Sequence, residues 1–125
     1  MQTQVYLFDT TLRDGTQSEG LSLSVEDKLK ITALLDAFGV HYVEGGWPGS
    51  NPKDADFFAR ARSLTLRRAK LVAFGATRKA GVRAEDDANL RALVAAETPA
   101  VSIFGKSWTL HVRHVLETTP KRTWP

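Results

Sequence analysis

Short apolar runs rich in β-branched and aromatic residues alternate along this chain with longer segments whose apolar residues recur every three or four positions. Val5-Tyr6-Leu7-Phe8 is the first such run and predicts a strand buried on both faces. A polar loop follows from Asp9 to Leu23. Ser24-Val25-Glu26-Asp27 predicts a capped helix start, with Ser24 accepting from an unpaired backbone N–H. Ile31, Leu34, Leu35 and Phe38 predict one apolar face, and Gly39 stands where a helix end favours a left-handed residue. The cycle repeats with a second strand over Val40 to Val43, ending at Glu44, and a glycine-rich loop over Gly45 to Ser50. Gly45, Gly46 and Gly49 are expected to serve loop conformation and close backbone approach. Asn51-Pro52 starts a second helix with Asp54 near its positive end, running to about Leu64. Lys70 to Phe74 predicts strand three, then a loop through Gly81. Glu85 to Ala96 predicts helix three, with Leu90, Leu93 and Val94 inward. Ala100 to Phe104 predicts strand four, and Ser107 is the expected cap of a fourth helix that ends near Leu116.

Strands alternating with helices imply parallel βαβ units, which leaves a doubly wound open sheet or part of a (β/α)₈ barrel. Polar residues gather after each strand: Asp9, Arg13 and Asp14 after the first, Glu44 after the second, Arg78 after the third, Lys106 after the fourth. Both architectures bind ligands at those C-terminal strand ends. Neither a Walker A sequence nor a G-x-G-x-x-G after the first strand is present, which argues against nucleotide binding of those kinds.

Composition narrows the classes further. The 125 residues suit one domain, and 42% hydrophobic with 25% charged residues is ordinary for a globular protein. No apolar run approaches the roughly 18 residues that would span a membrane. The start, Met1-Gln2-Thr3-Gln4, lacks the basic and apolar regions of a signal peptide, and without cysteine there is no disulfide or thiol chemistry. The expected location is the cytoplasm. The net charge of +3 is spread along the chain apart from Arg67-Arg68 with Lys70 and Arg78-Lys79, so a nucleic-acid partner is not expected. Some of these cations could instead meet an anionic cofactor.

Asp9-Thr10-Thr11-Leu12-Arg13-Asp14-Gly15-Thr16-Gln17 is the stretch with chemical content. A carboxylate there can hold a hard divalent cation through oxygen, and the adjacent guanidinium can steady a developing enolate or a keto-acid oxygen. The alternative is that Arg13 pairs with Asp14 or Asp9 in an ordinary polar loop. His111 and His114, one turn apart, could bind a metal but read more simply as a solvated helix face, and His41 reads as structural. Trp47 and Trp108 pack over loops or border a pocket.

That stretch resembles the D-T-x-L-R-D-G-x-Q pattern of the isopropylmalate, homocitrate and citramalate synthase family, which is related to hydroxymethylglutaryl-CoA lyase and to the carboxyltransferase domains of biotin enzymes. His41-Tyr42-Val43-Glu44-Gly45-Gly46-Trp47-Pro48-Gly49-Ser50-Asn51-Pro52-Lys53-Asp54, Phe74-Gly75-Ala76-Thr77-Arg78 and Ile103-Phe104-Gly105-Lys106-Ser107-Trp108 resemble the citramalate branch of that family. The resemblance implies an α/β fold, the first four βα units of a (β/α)₈ barrel over residues 1–119. It implies an acyltransferase that condenses acetyl-CoA with an α-keto acid, pyruvate being favoured, in the isoleucine branch of amino-acid biosynthesis. By family role Asp14 would ligate magnesium or manganese, and Arg13 would bind the keto-acid oxygen. Gln17 would lie beside the substrate, and Glu44 would line the pocket as a catalytic or substrate-binding group. A homo-oligomer is implied for the full-length family.

Two departures shape the expectation for this chain. It contains no His-x-His pair, from which the family draws two further metal ligands, and no counterpart of a later catalytic glutamate. Residues 120–125, Pro120 to Pro125, depart from the family's fourth helix and suggest a truncation or frameshift, so little activity is expected of the chain alone. The alternatives are isopropylmalate or homocitrate synthesis, a CoA-ester lyase or aldolase on the same scaffold, and a non-catalytic half-barrel that pairs with another chain.

Overall fold

The computed structural model describes residues 2–117; the atypical tail at 120–125 lies outside them. Four strands, β1 (Phe8–Asp9), β2 (Tyr42–Gly46), β3 (Lys70–Ala76) and β4 (Ala100–Phe104), form one sheet in the order β1-β2-β3-β4, every pair parallel. Between them lie α1 (Val25–Phe38), α2 (Pro52–Ala61) and α3 (Ala88–Ala95), and α4 (Thr109–His114) follows β4.

The strand register decides between the two architectures. Residues paired across parallel strands share a face, so Val43, Leu71 and Ala73 lie on one side, and the main apolar cluster joins them to Phe57, Phe58 and Ala61 of α2 and Leu93 of α3. Leu29, Ile31 and Leu35 of α1 pack against that same cluster. The first three helices thus cover one face. The opposite face carries Tyr42, Glu44, Val72, Phe74 and Phe104. Sequential strand order with helices on a single side is the arrangement of barrel staves; a doubly wound sheet reverses its order and covers both faces.

Several predicted elements hold closely. Ser24 caps α1 in a full capping box: its hydroxyl accepts from the Asp27 N–H at 3.1 Å, and the Asp27 carboxylate accepts from the Ser24 N–H at 3.0 Å. Gly39 ends α1 at φ 100°, donating to the carbonyls of Leu35 and Asp36. Asn51 caps α2 by accepting from the Asp54 N–H at 2.8 Å.

Others are corrected. The first strand is only Phe8–Asp9, and Val5, Tyr6, Leu7 and Phe8 are exposed, not buried on both faces. Among the described residues β1 has a neighbour on one edge alone. Strand β2 continues past Glu44 to Gly46, taking Gly45 and Gly46 into the sheet with a register shift between Glu44 and Gly46, while Gly49 stays in the turn that follows. A Cβ on Gly45 would stand 2.4 Å from Cε1 of Phe57, so only glycine lets α2 lie this close. Strand β3 runs to Ala76 because its pairing with β4 continues to Ala76↔Phe104. Helix α2 stops at Ala61, where the Ser63 hydroxyl takes the Arg60 carbonyl. Glu85 belongs to a separate 3₁₀ turn, and α3 starts after Asp87, whose carboxylate accepts from the Leu90 N–H at 3.0 Å. Of the predicted inner face of α3, Val94 is exposed. Ser107 does not cap α4: the first intrahelical bond is to the Trp108 carbonyl, which leaves Ser107 outside.

Of the apolar face expected of α1, Ile31 and Leu35 pack against the core, but Leu34 and Phe38 do not. Leu34 is 69% and Phe38 81% exposed, while the buried residues of the helix are Lys28, Thr32 and Asp36, four residues apart. Each has its partner. Lys28 Nζ donates to Asp54 at 2.6 Å, the Thr32 hydroxyl donates to the Lys28 carbonyl, and Asp36 accepts the backbone N–H groups of Arg67, Arg68 and Ala69 at 2.7–2.9 Å. Those three N–H bonds hold the Asp36 carboxyl below the ordinary aspartate range.

Candidate active site

The turn after β1 is built on one carbonyl. The N–H groups of Arg13, Asp14 and Gly15 all donate to the Thr10 oxygen, at 3.2, 2.8 and 3.1 Å, and buried Leu12 anchors the turn in the core. Asp9 does not face Arg13. Its carboxylate accepts the Thr11 N–H and hydroxyl, both at 3.0 Å, and so closes the first bend.

The geometry sends Arg13 across to the second strand. Its Nε donates to Glu44 Oε1 at 2.5 Å, and its Cζ lies 4.0 Å from the centre of the Phe74 ring on β3. Nη1 is 3.4 Å from an Asp14 oxygen. Glu44 is 2% exposed and Arg13 20%, so the pair is shielded from water on most sides, whereas Asp14 is exposed. Arg13, Asp14 and Glu44 therefore come together at the C-terminal ends of β1 and β2. The pairing of Arg13 with Asp14 that the alternative reading held exists, but it is the longer of its two acidic contacts. Gln17 sits in the 3₁₀ turn Gly15–Gln17 and lines, with Arg13, Thr16, Lys28, Trp47 and Asp54, a cavity of about 240 Å³.

Phe74 is packed in turn. It stacks on Phe104 of β4, with ring centres 5.3 Å apart at 8°, and Trp47 meets both edge-on at 5.3 and 6.0 Å. Trp47 is fixed from behind: its Nε1 donates to Asn89 Oδ1 at 2.6 Å, and Asn89 Nδ2 donates to the Ala76 carbonyl at 2.6 Å. Asp87 ties the loop after β3 to α3 by accepting from the Lys79 and Leu90 N–H groups, which hold its carboxyl below the usual range.

The remaining sequence candidates stand apart. His41 Nδ1 accepts from the Leu7 N–H at 3.0 Å, the structural role expected of it. His111 lies edge-on against Trp108 at 4.8 Å. Arg78 is turned onto the Val82 carbonyl, and Lys106 lies 5.6 Å from the Phe104 ring. Arg67, Arg68 and Lys70 are at the entry to β3, the opposite end of the strand from Phe74. Three groups went unread in the sequence: Phe74, the Trp47–Asn89 brace and the Lys28–Asp54 pair. Alternation along β3 puts Phe74 on the face of Val72, which was the available signal; nothing local announced the other two.

Asp14 offers one hard oxygen donor of the kind a divalent cation prefers. Among the described residues no group of three or more His, Cys, Asp or Glu is arranged to hold a metal, so Asp14 fits as one ligand and does not complete a site. Among them, too, no helix is long and apolar enough to cross a membrane.

Sequential parallel βα units, helices on one face and an acid–arginine group at the C-terminal strand ends define a segment of a (β/α)₈ barrel of the enzyme type. The chain belongs to the HMGL-like family, whose model matches residues 4–124. It is 54% identical over 119 residues to an (R)-citramalate synthase of Aquifex aeolicus, covering 95% of this chain and 22% of that protein. A 2-isopropylmalate synthase of Halalkalibacterium halodurans is 33% identical over 119 residues, again with 95% and 22% covered. The chain thus spans about a fifth of the length of these relatives. The crystal structure of hydroxymethylglutaryl-CoA lyase from Pseudomonas aeruginosa superposes with a TM-score of 0.67 at 22% identity, covering 96% of this chain and 38% of that one, which establishes the shared fold.

Proposed function

We propose that this chain carries the keto-acid-binding corner of an acetyl-CoA-dependent acyltransferase, which condenses the acetyl group with pyruvate to give citramalate. The observation that carries the reading is the shielded Arg13–Glu44 pair at 2.5 Å beside exposed Asp14. Glu44 fixes the Nε edge of the guanidinium, leaving N–H groups to meet a planar keto acid. In the reaction a base takes a proton from the acetyl methyl group and the enolate carbon attacks the keto carbonyl. The carbonyl oxygen gains the negative charge and is then protonated, and water cleaves the thioester to release CoA. Arg13 stabilises that oxygen as charge develops, Gln17 borders the substrate, and Glu44 holds Arg13 in place. Asp14 would hold magnesium or manganese, which when bound supplies Lewis-acid polarisation of the keto carbonyl.

Residues 1–119 act here as the first four βα units of the barrel, and the complete protein is a cytoplasmic homo-oligomer in amino-acid biosynthesis. Identity to citramalate synthases of 47–54%, against 32–36% for 2-isopropylmalate synthases, supports pyruvate over larger keto acids. The test is a chimera in which residues 4–117 replace the matching segment of the Aquifex aeolicus enzyme. CoA release from acetyl-CoA is then followed with a thiol reagent, to which this segment, lacking cysteine, adds no background. The chimera is expected to release CoA with pyruvate faster than with 2-oxoisovalerate, and Arg13→Ala to abolish it; the 125-residue chain alone should release little. A folded chimera that releases none with pyruvate ends the proposal.

A further inference from the structure

We propose that Phe74 is a positioning residue for Arg13, and that the aromatic group of Phe74, Phe104 and Trp47 is the brace that aims the guanidinium. Its consequence for keto-acid binding rests on the function proposed above; the brace itself does not. A guanidinium held through Nε by Glu44, with only a 3.4 Å contact from Nη1 to exposed Asp14 besides, can still tilt and carry its remaining donors out of the cavity. The Phe74 face at 4.0 Å removes that freedom by fixing the tilt of the plane. Phe74 has nowhere to retreat: Phe104 stacks on it, Trp47 closes its edge, and Asn89 of α3 pins Trp47 through a 2.6 Å hydrogen bond. Arg13 is thereby oriented by an acid on β2 and by a ring supported from β4 and α3. Among the described residues Nη2 has no protein acceptor, so the brace presents two N–H groups for an incoming carboxylate or carbonyl oxygen.

Nuclear magnetic resonance of the ¹⁵N-labelled chain tests this without turnover. A ring face shifts protons above it upfield whereas the Glu44 hydrogen bond shifts the Arg13 Nε–H downfield, so the upfield displacement due to the ring is read as a difference: that signal, identified by its loss in Arg13→Lys, should move downfield in Phe74→Leu. Phe74→Leu should remove the displacement and Phe74→Tyr keep it. In the same samples pyruvate should bind about fivefold more weakly to Phe74→Leu, the size one partly exposed cation–π contact sustains, with Phe74→Tyr restoring the affinity. A wild-type chain with no nuclear Overhauser contact between Arg13 side-chain protons and the Phe74 ring overturns the proposal and needs no variant to fold. Unchanged pyruvate affinity in a folded Phe74→Leu chain, with the displacement lost, overturns it also. A displacement that Phe74→Leu removes, in a wild-type chain that ignores pyruvate, supports the brace and counts against the keto-acid reading, so the two fail separately.

Discussion

Replacing Asp54 with alanine is expected to be one of the most damaging single changes outside the apolar core, and much worse than replacing its partner. Lys28 is 2% exposed and its Nζ lies 2.6 Å from Asp54 Oδ1. In Asp54→Ala the ammonium remains buried against Phe57 without its carboxylate, and the Trp47 N–H loses the acceptor it holds at 2.9 Å. Removing one partner of such a pair costs about 3–5 kcal/mol, which for a chain of this length is a fall of roughly 10–20 °C in Tm. Lys28→Met differs because Asp54 keeps the Trp47 N–H and the Asn51 amide, and its charge lies in the first turn of α2. That change should cost on the order of 1 kcal/mol. The double variant should be more stable than Asp54→Ala, since neither charge is stranded. Urea unfolding of the four proteins followed by circular dichroism gives the cycle. If Asp54→Ala stays within about 1 kcal/mol of wild type, or Lys28→Met costs as much, the account of the pair is wrong.

Two further outcomes follow from local geometry. Gly45→Ala puts a methyl 2.4 Å from Phe57 Cε1 and 3.1 Å from Phe58 Cε1, so it should lower stability by roughly 1–3 kcal/mol; an unchanged urea midpoint would show that α2 can shift freely. Asp36, with its folded pKa lowered by three backbone N–H groups, adds stability that is fully present above the ordinary aspartate value of 3.8 and is lost as pH falls below it. The urea midpoint of wild type should therefore drop through that acid window more steeply than that of Asp36→Asn, and parallel curves would refute the assignment.

Elements with polar ends were the legible ones. Ser24, Gly39 and Asn51 mark α1 and α2 because caps satisfy backbone groups locally, and a local cause leaves a local signal. Arg13 and Asp14 were visible as chemistry, and their meeting with Glu44 followed from strand ends converging. The pairing that dominates, Arg13 with Glu44 over Asp14, was not legible, because it depends on the relative height of two strands. The face of α1 was misread in part for a related reason. Apolar spacing chose Ile31, Leu34, Leu35 and Phe38, of which Ile31 and Leu35 pack inward, yet Lys28 and Asp36 turn further in, to partners 26 and 31–33 residues away. Phe74 could be placed on a face by alternation, but its role comes from an arginine 61 positions earlier.

The inward polar edge of α1 makes that helix a keyed part. A greasy helix can slip or roll over a greasy sheet at small cost, trading one contact for another. Here an ammonium must reach the head of α2 while, two turns on, a carboxylate gathers the chain entering β3. A slip of one residue strands both. Seating α1 thus ties the head of α2 to the entry of β3: one end of the helix helps to line the cavity beside Arg13, and the other holds the chain that leads up to Phe74.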